Sequence, residues 1–313
     1  MRLFLATLII AIAAVAAFGQ SPPTLRIVTE SPNLPSELFY GNIKVKPLRL
    51  RPGTNTPITI NDADFFVSQQ YVDFLSRFPD QSGFNFWTGE ITGCGADASC
   101  TEIKRINVSG AFFLSIEFKA TGYLVYKMYD AAFSNLPNAP VPVKREDFMP
   151  DTRQIGNGVV VGQQGWEALL NANKDAFALA FVQRPAFTTA FPSNMTATDF
   201  VNKINANIGG SLNSSDTANL VNILGATPSD SAKRAQVLRA VAENSALDQR
   251  DLNKAFVLMQ YFGYLRRNPN EGPDSDFSGF NFWLGKLSQF NGNFIDAEMV
   301  KAFISSTEYL NRF

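Results

Sequence analysis

Hydrophobic residues recur with helical spacing along most of the chain. From residue 62 onward they fall three, four or seven positions apart, which places them on one face of an α-helix. The first such series consists of Val67, Tyr71, Phe74, Leu75 and Phe78. Residues 20–61 differ, because prolines interrupt short alternating runs at 25–29 and 43–50. The pattern predicts an all-α protein with a short extended or β segment at its N-terminal side, formed by two or three strands or by an extended arm.

One helical stretch occurs twice. Residues 66–91, FVSQQYVDFLSRFPDQSGFNFWTGEI, return as residues 256–287, where a six-residue insertion at 270–275 precedes the second FNFW. Fifteen positions are identical between the two copies. A further helix follows each copy and carries SIEF at 115–118 or STEY at 306–309. Each copy is therefore predicted to be a three-helix module.

A weaker third copy, without the Pro-Asp turn and the tryptophan, is predicted between the two; ordinary helices of similar amphipathicity are the alternative. The connector before it is expected to hold two long helices, at 120–133 and 165–187, and between them a loop with one helical turn near 145–148. The predicted division of the chain is a signal peptide at 1–19, a Pro-rich extended or β arm at 20–61, the first module at 62–135, a helical connector at 136–195, the degenerate module at 196–250 and the second module at 251–313.

The first residues form a charged and then an apolar stretch. Arg2 precedes about 16 mainly apolar residues that end in small residues near Gly19, a pattern typical of a secretory signal peptide. A membrane anchor is the alternative, although the run is shorter than the roughly 20 residues that a spanning helix needs. The sequence predicts an extracytoplasmic bacterial protein, periplasmic or secreted, with no membrane span after cleavage.

Composition limits the chemistry that the chain can perform. It contains no histidine, which excludes Ser-His and Cys-His nucleophile pairs, His-ligated zinc and facial-triad iron. Its net charge of −1 lacks the basic excess that nucleic-acid binding requires. The only two cysteines, Cys94 and Cys100, lie close together, and in an exported chain we expect them to form a disulfide.

The two FNFW segments supply the aromatic candidates for ligand binding. Phe84, Trp87 and Ile91 recur at helical spacing and are expected in the core. Phe86 and Phe282 fall off that face and are the candidates for exposed contact, because an aromatic ring can stack on a sugar or pack against a peptide.

The insertion supplies the only candidate for a metal site. Asp274, Asp276 and Ser278 stand on alternate residues before a glycine, which can aim three oxygens at calcium. Position twelve of an EF-hand loop, counted from Asp274, holds Gly285 in place of an acidic residue. The alternative is a helix N-cap, and no other cofactor is expected.

Glu117 and Glu308 are the matching carboxylates of SIEF and STEY. A glycoside hydrolase needs two carboxyl groups on either side of one bond, whereas the repeat places one in each module. Arg77 and Arg267 are expected to pair with Asp80 and Asp276, or to cap the carbonyls of a helix end.

The stretch FVSQQYVDFLSRFPDQSGFNFW, with the later SIEF, resembles the bacterial domain of unknown function 4214, whose pattern is a helix ending in Gly-Arg-x-Pro-Asp, a glycine, an aromatic-Trp pair and a later SxEF. Residues 62–118 and 256–313 match this pattern, and 199–247 matches it weakly. The chain departs from it at 76–78 and in the insertion. It is similar to exported acidobacterial members and, more distantly, to phycobilisome linker domains. The resemblance implies an extracytoplasmic helical module without an established activity, often appended to surface, adhesion or calcium-binding repeat proteins.

These observations lead to the hypothesis of an exported, non-catalytic interaction or structural module of the cell envelope or extracellular matrix. Its partner would be an envelope or matrix protein or a glycan. The alternatives are a calcium-assisted carbohydrate-binding module and a carboxylate-dependent glycoside hydrolase.

Overall fold

Short strands form the regular structure of the N-terminal segment. The computed structural model describes residues 25–28, 37–40, 43–45, 50–51 and 53–313, and the predicted signal peptide lies outside these residues. The strands β1 (Leu25–Val28), β2 (Glu37–Tyr40) and β3 (Ile43–Val45) are antiparallel and follow the order β1-β2-β3. Leu25 pairs with Tyr40, and Tyr40 pairs with Ile43. The strands are rich in β-branched and aromatic residues, which favour extended backbone.

Helices form the second unit, residues 48–313. The α-helices of the described residues are α1 (Ala63–Gln70), α2 (Gln81–Thr92), α3 (Ala98–Leu114), α4 (Ile116–Ala120), α5 (Gly122–Phe133), α6 (Arg145–Gly156), α7 (Trp166–Val182), α8 (Pro185–Ala190), α9 (Ala197–Asn207), α10 (Ser214–Leu224), α11 (Ser231–Ala242), α12 (Ser245–Met259), α13 (Ser278–Gln289), α14 (Met299–Ser305) and α15 (Thr307–Leu310). The predicted all-α class with a short β segment is confirmed. None of these helices is both long and apolar enough to cross a membrane.

Helices α1 and α12 both continue into a π-helical segment, Tyr71–Leu75 in the first module and Gln260–Leu265 in the second. Each segment ends at a residue with left-handed backbone, Ser76 (φ 54°) or Arg266 (φ 53°). The sequence predicts a regular helix up to Pro79, because apolar periodicity does not reveal one extra residue in a turn. π-Helical turns are rare and occur often at functional sites.

Three helices predicted as continuous are interrupted. The side chains of Ser115 and Ser306 each accept a hydrogen bond from a backbone N–H three residues later, which ends α3 and α14 and starts the short helices α4 and α15. Pro185 stands at the first position of α8, where a missing N–H costs least, and thereby separates α8 from α7. With these breaks, the described residues contain fifteen α-helices.

The predicted single turn near 145–148 is wrong, because α6 runs for 12 residues and contains Pro150. Phe148, Met149 and Ile155 are buried, while Pro150 is exposed. The buried face packs against α5 and α7. Burial of this apolar face stabilises the helix although Pro150 removes one backbone hydrogen bond.

The two modules pack against each other through their equivalent π-helical segments and through helices α3 and α12. Phe113 stacks on Phe256 with ring centroids 4.0 Å apart and planes 5° apart. Arg312 near the C-terminus donates to both carboxylate oxygens of buried Asp73, at 2.9 and 2.8 Å. The modules therefore share a core rather than standing apart. Helices α9, α10 and α11 occupy the predicted degenerate module, and its origin as a third copy stays a prediction.

The disulfide predicted between Cys94 and Cys100 is present, with Cα atoms 5.6 Å apart. It closes the loop between α2 and α3, and Asp97 within that loop accepts from the backbone N–H groups of Ser99 and Cys100 at 2.9 and 3.0 Å. The loop is thus tied both covalently and by a helix cap.

Candidate functional site

An arginine and a glutamate form a bidentate ion pair in each module. Arg77 donates to Glu117 from Nε at 2.6 Å and from Nη2 at 2.8 Å. Arg267 donates to Glu308 from the same two atoms, at 2.5 and 3.1 Å. Two parallel charge-assisted hydrogen bonds fix both the distance and the orientation of the partners. The repeat therefore preserves an ion pair that connects the end of its first helix to its last.

The SxE motif explains how the glutamate reaches the arginine. Ser115 has extended backbone and accepts from the N–H of Phe118 at 3.0 Å, which starts α4 in a new direction. Glu117 then stands in the first turn of α4. Ser306 caps α15 in the same way, by accepting from Tyr309 N at 3.1 Å. Sequence reasoning missed these ion pairs, although a signal existed: Arg and Glu recur together, 40 residues apart in one copy and 41 in the other.

The expected pairing of Arg77 and Arg267 with Asp80 and Asp276 is only partly right. Asp80 lies 3.5 Å from Arg77, a longer contact than that of Glu117. In the second module Asp274, rather than Asp276, accepts from Arg267 at 2.7 Å. Asp80 has a second role, because it accepts from Gly83 N at 2.8 Å and so caps α2. In the second module two acids share the roles of Asp80: Asp274 pairs with the arginine, and Asp276 accepts from an amide of α13.

The aromatic residues of the two FNFW segments have nearly the same environment. The Trp87 ring lies 5.7 Å from Phe112, and the Trp283 ring lies 5.8 Å from Phe303. Both tryptophans are half-buried and pack on the core. The shared aromatics therefore keep α2 and α13 in the same position in their modules.

Phe86 and Phe282 are each 59% exposed, as their place off the apolar face predicts. Each ring meets the neighbouring tryptophan edge to face, with centroids 4.8 Å apart at 76° for Phe86 and 5.0 Å apart at 78° for Phe282. Edge-to-face contact is a favourable geometry for aromatic pairs and leaves one face of the phenylalanine open. The protein thus presents two equivalent exposed rings.

The carboxylates of the candidate calcium site bind other groups of the protein. Asp274 is the partner of Arg267, and Asp276 accepts from the N–H of Ser278 at 2.8 Å. Asp276 thereby satisfies the first amide of α13 from the residue before the N-cap position, which Phe277 occupies. No group of three or more His, Cys, Asp or Glu side chains suited to a metal ion occurs in the part of the chain that the structure describes.

A cavity of about 290 Å³ lies beside the ion pair of the first module. Repeated residues form much of its lining, namely Tyr71, Arg77, Asp80, Gly83, Trp87, Phe112, Ser115 and Glu117. Burial, followed by the nearby Asp80 carboxylate, raises the pKa of Tyr71 to about 12, so its hydroxyl stays protonated at neutral pH. Burial and then Asp274 raise the pKa of the equivalent Tyr261 to about 12 as well. The lining offers hydrogen-bond donors and acceptors beside aromatic surface, which suits binding.

The chain matches no family model, no curated protein and no solved structure.

Proposed function

We propose that the protein is an exported, non-catalytic interaction module of the bacterial cell envelope or extracellular matrix. The pair of equivalent exposed rings, Phe86 and Phe282, carries this proposal. Exposed aromatic residues are enriched where proteins bind partners, because they bury a large apolar area with little loss of conformational freedom. Two such sites on one chain increase the strength of attachment to a partner that repeats.

The state of the acidic residues also supports binding over catalysis. Glu117 and Glu308, the carboxylates that a hydrolase would use, are each bound to an arginine of their own module. A carboxylate whose two oxygens both accept from an arginine is not free to contact a substrate bond. The calcium-assisted alternative would require Asp274 to leave Arg267.

A binding assay on isolated envelopes and matrix from the source bacterium tests the proposal. The mature chain would be compared with Phe86→Ser, Phe282→Ser and the double variant. Phe78→Ser is a matched control, because Phe78 is 55% exposed but is not repeated in the second module. We expect each single variant to bind more weakly and the double variant to lose binding by about 100-fold, since avidity is lost. Digestion of the envelopes with protease or with glycosidase then distinguishes a protein partner from a glycan.

Two results would contradict the proposal. If the double variant binds as the native chain does, or if Phe78→Ser weakens binding as much, the exposed rings are not the contact surface and the proposal fails. Circular dichroism of each variant shows whether the helices are retained, so that a folding defect is not counted as lost binding.

A further inference from the structure

The insertion of the second module folds back onto Arg267. The backbone carbonyl of Glu271 accepts from Arg267 Nη1 at 2.7 Å. Gly272, with φ 78°, lies so close to the arginine that an added Cβ would stand 2.9 Å from its Cδ. Asp274 completes the contact as a partner of Nη2. Residues 270–275 thus form a glycine-containing turn held on the guanidinium group.

The first module has the same arginine without the insertion. There Nη1 of Arg77 donates to the carbonyl of Phe78 at 3.0 Å and has the longer contact of 3.5 Å with Asp80. Nothing in the first module corresponds to the carbonyl of Glu271, and the cavity of about 290 Å³ borders Arg77 instead. The insertion therefore contacts the counterpart of a residue that lines an open cavity in the first module.

Asp80 supplies the carboxylate beside the arginine in the first module, although it lies 3.5 Å from Nη1 where Asp274 lies 2.7 Å from Nη2. A Cβ added at Gly83 would lie 3.2 Å from Asp80 Oδ2, and one added at the equivalent Gly279 would lie 3.9 Å from Asp274. Arg77, Asp80 and Glu117 together carry one net negative charge. A third carboxylate in the cavity would be repelled, whereas a neutral backbone carbonyl would not. A ligand group that accepts a hydrogen bond from Arg77 in this cavity should therefore be neutral.

We propose that the first-module cavity binds a glycine-containing turn of a partner polypeptide, and that residues 270–275 are the second module's built-in counterpart of that ligand. One backbone carbonyl of the turn accepts from Arg77 Nη1, and its glycine packs on the guanidinium plane. Ile116, which is 63% exposed at the cavity, is covered on binding. The cavity volume lies at the lower end for ligand sites and suits a short turn rather than a folded surface. This site is separate from the exposed rings, and it makes the two modules unequal: Arg77 borders an open cavity, whereas residues 270–275 cover part of Arg267.

A capped peptide with the sequence of residues 268–277 tests the proposal by calorimetric titration of the full chain. We expect saturable binding with one site per chain and a Kd of about 0.1–1 mM, as for a short flexible ligand. A peptide with Gly272→Ala should bind at least about tenfold more weakly, because its Cβ would collide with the arginine. A peptide with Asp274→Asn should bind as well as the parent, since Asp80 already supplies that carboxylate.

A pair of variants at equivalent positions locates the site. Ala111 lines the cavity, and Ala302 holds the same position in the second module. Ala111→Leu, which fills the cavity, should reduce binding at least about tenfold, and Ala302→Leu should not. Deletion of residues 270–275 should raise the stoichiometry from one site to two if the shortened chain stays helical.

Three outcomes would overturn the proposal. The first is no binding of the parent peptide to a folded chain. The second is equal loss of binding in Ala111→Leu and Ala302→Leu. The third is displacement of the peptide by acetate at millimolar concentration, which would mean that the cavity selects a carboxylate rather than a turn.

Discussion

Phe74 and Tyr264 occupy the same position in the two copies of the repeat, and their rings contact each other with centroids 5.2 Å apart at 78°. Contact between equivalent residues is typical of an approximately two-fold arrangement. The modules are therefore joined face to face at their π-helical segments. The two residues are not identical, because only Tyr264 carries a hydroxyl.

That hydroxyl should matter for stability. Tyr264 donates to Gln70 Oε1 at 2.8 Å and is in hydrogen-bond contact with Ser109, and all three residues are buried. Tyr264→Phe leaves Gln70 with a buried oxygen that has lost its donor, which costs about 1–3 kcal/mol of unfolding free energy. Urea denaturation measures the loss.

Tyr309→Phe is the matched control for this change. Tyr309 is also fully buried, but its hydroxyl has no hydrogen-bond partner among the described residues. Removal of that hydroxyl should be neutral or slightly stabilising. Equal destabilisation by both changes would contradict the role assigned to the bond between Tyr264 and Gln70.

The two Arg-Glu ion pairs should differ in energy because they differ in exposure. The Glu117 side chain is 8% exposed and that of Glu308 is 33% exposed. Glu117→Gln leaves Arg77 charged in a mostly buried setting and should cost about 3 kcal/mol. Glu308→Gln should cost about 1 kcal/mol, since Asp274 still pairs with Arg267 at 2.7 Å and water can replace part of the lost interaction at the exposed Glu308. A larger loss at Glu308 in chemical denaturation would refute this ranking.

A buried carboxylate between α5 and α12 predicts a pH dependence. Burial, with the Asp251 carboxylate close by, raises the pKa of Asp130 to about 6 although Arg250 partners it. A raised pKa means that the folded state favours the protonated acid, so the stabilisation is complete below the unfolded pKa near 4 and is lost as pH rises through 6. A shift of this size corresponds to up to about 3 kcal/mol.

Comparison with Asp130→Asn isolates this contribution. The variant does not titrate at this position, so its unfolding free energy minus that of the native chain should increase between pH 4 and pH 7 and then level off. Denaturation at five pH values from 4 to 8 provides the comparison. A difference that stays constant with pH would show that Asp130 titrates alike in the folded and unfolded chains.

Calcium should leave thermal stability unchanged. Asp274 is held by Arg267 and Asp276 by an amide of α13, so an ion would have to displace both contacts. Melting with millimolar calcium and with a chelator should therefore give the same Tm. A rise in Tm that Asp276→Ala abolishes would instead favour the calcium-assisted carbohydrate-binding hypothesis.

Much of this architecture can be read from the sequence, because apolar residues at helical spacing reveal helices and internal identity reveals modules. The exposure of Phe86 and Phe282 follows from the same spacing. The π-helical segments, the breaks at Ser115 and Ser306 and the full length of α6 cannot be read in this way. They depend on where a side chain finds its partner in space: Glu117 needs Arg77, and α6 needs the surfaces of α5 and α7.

Gly83 and Gly279 lie directly beneath the hydroxyls of Tyr71 and Tyr261, and a Cβ at either position would collide with that oxygen. These glycines set how closely α2 and α13 approach the first helix of each module. Any larger residue would push the helix outward and carry Phe86 or Phe282 with it. The position of the exposed rings of Phe86 and Phe282 thus depends on two glycines that carry only a hydrogen atom where any other residue has a side chain.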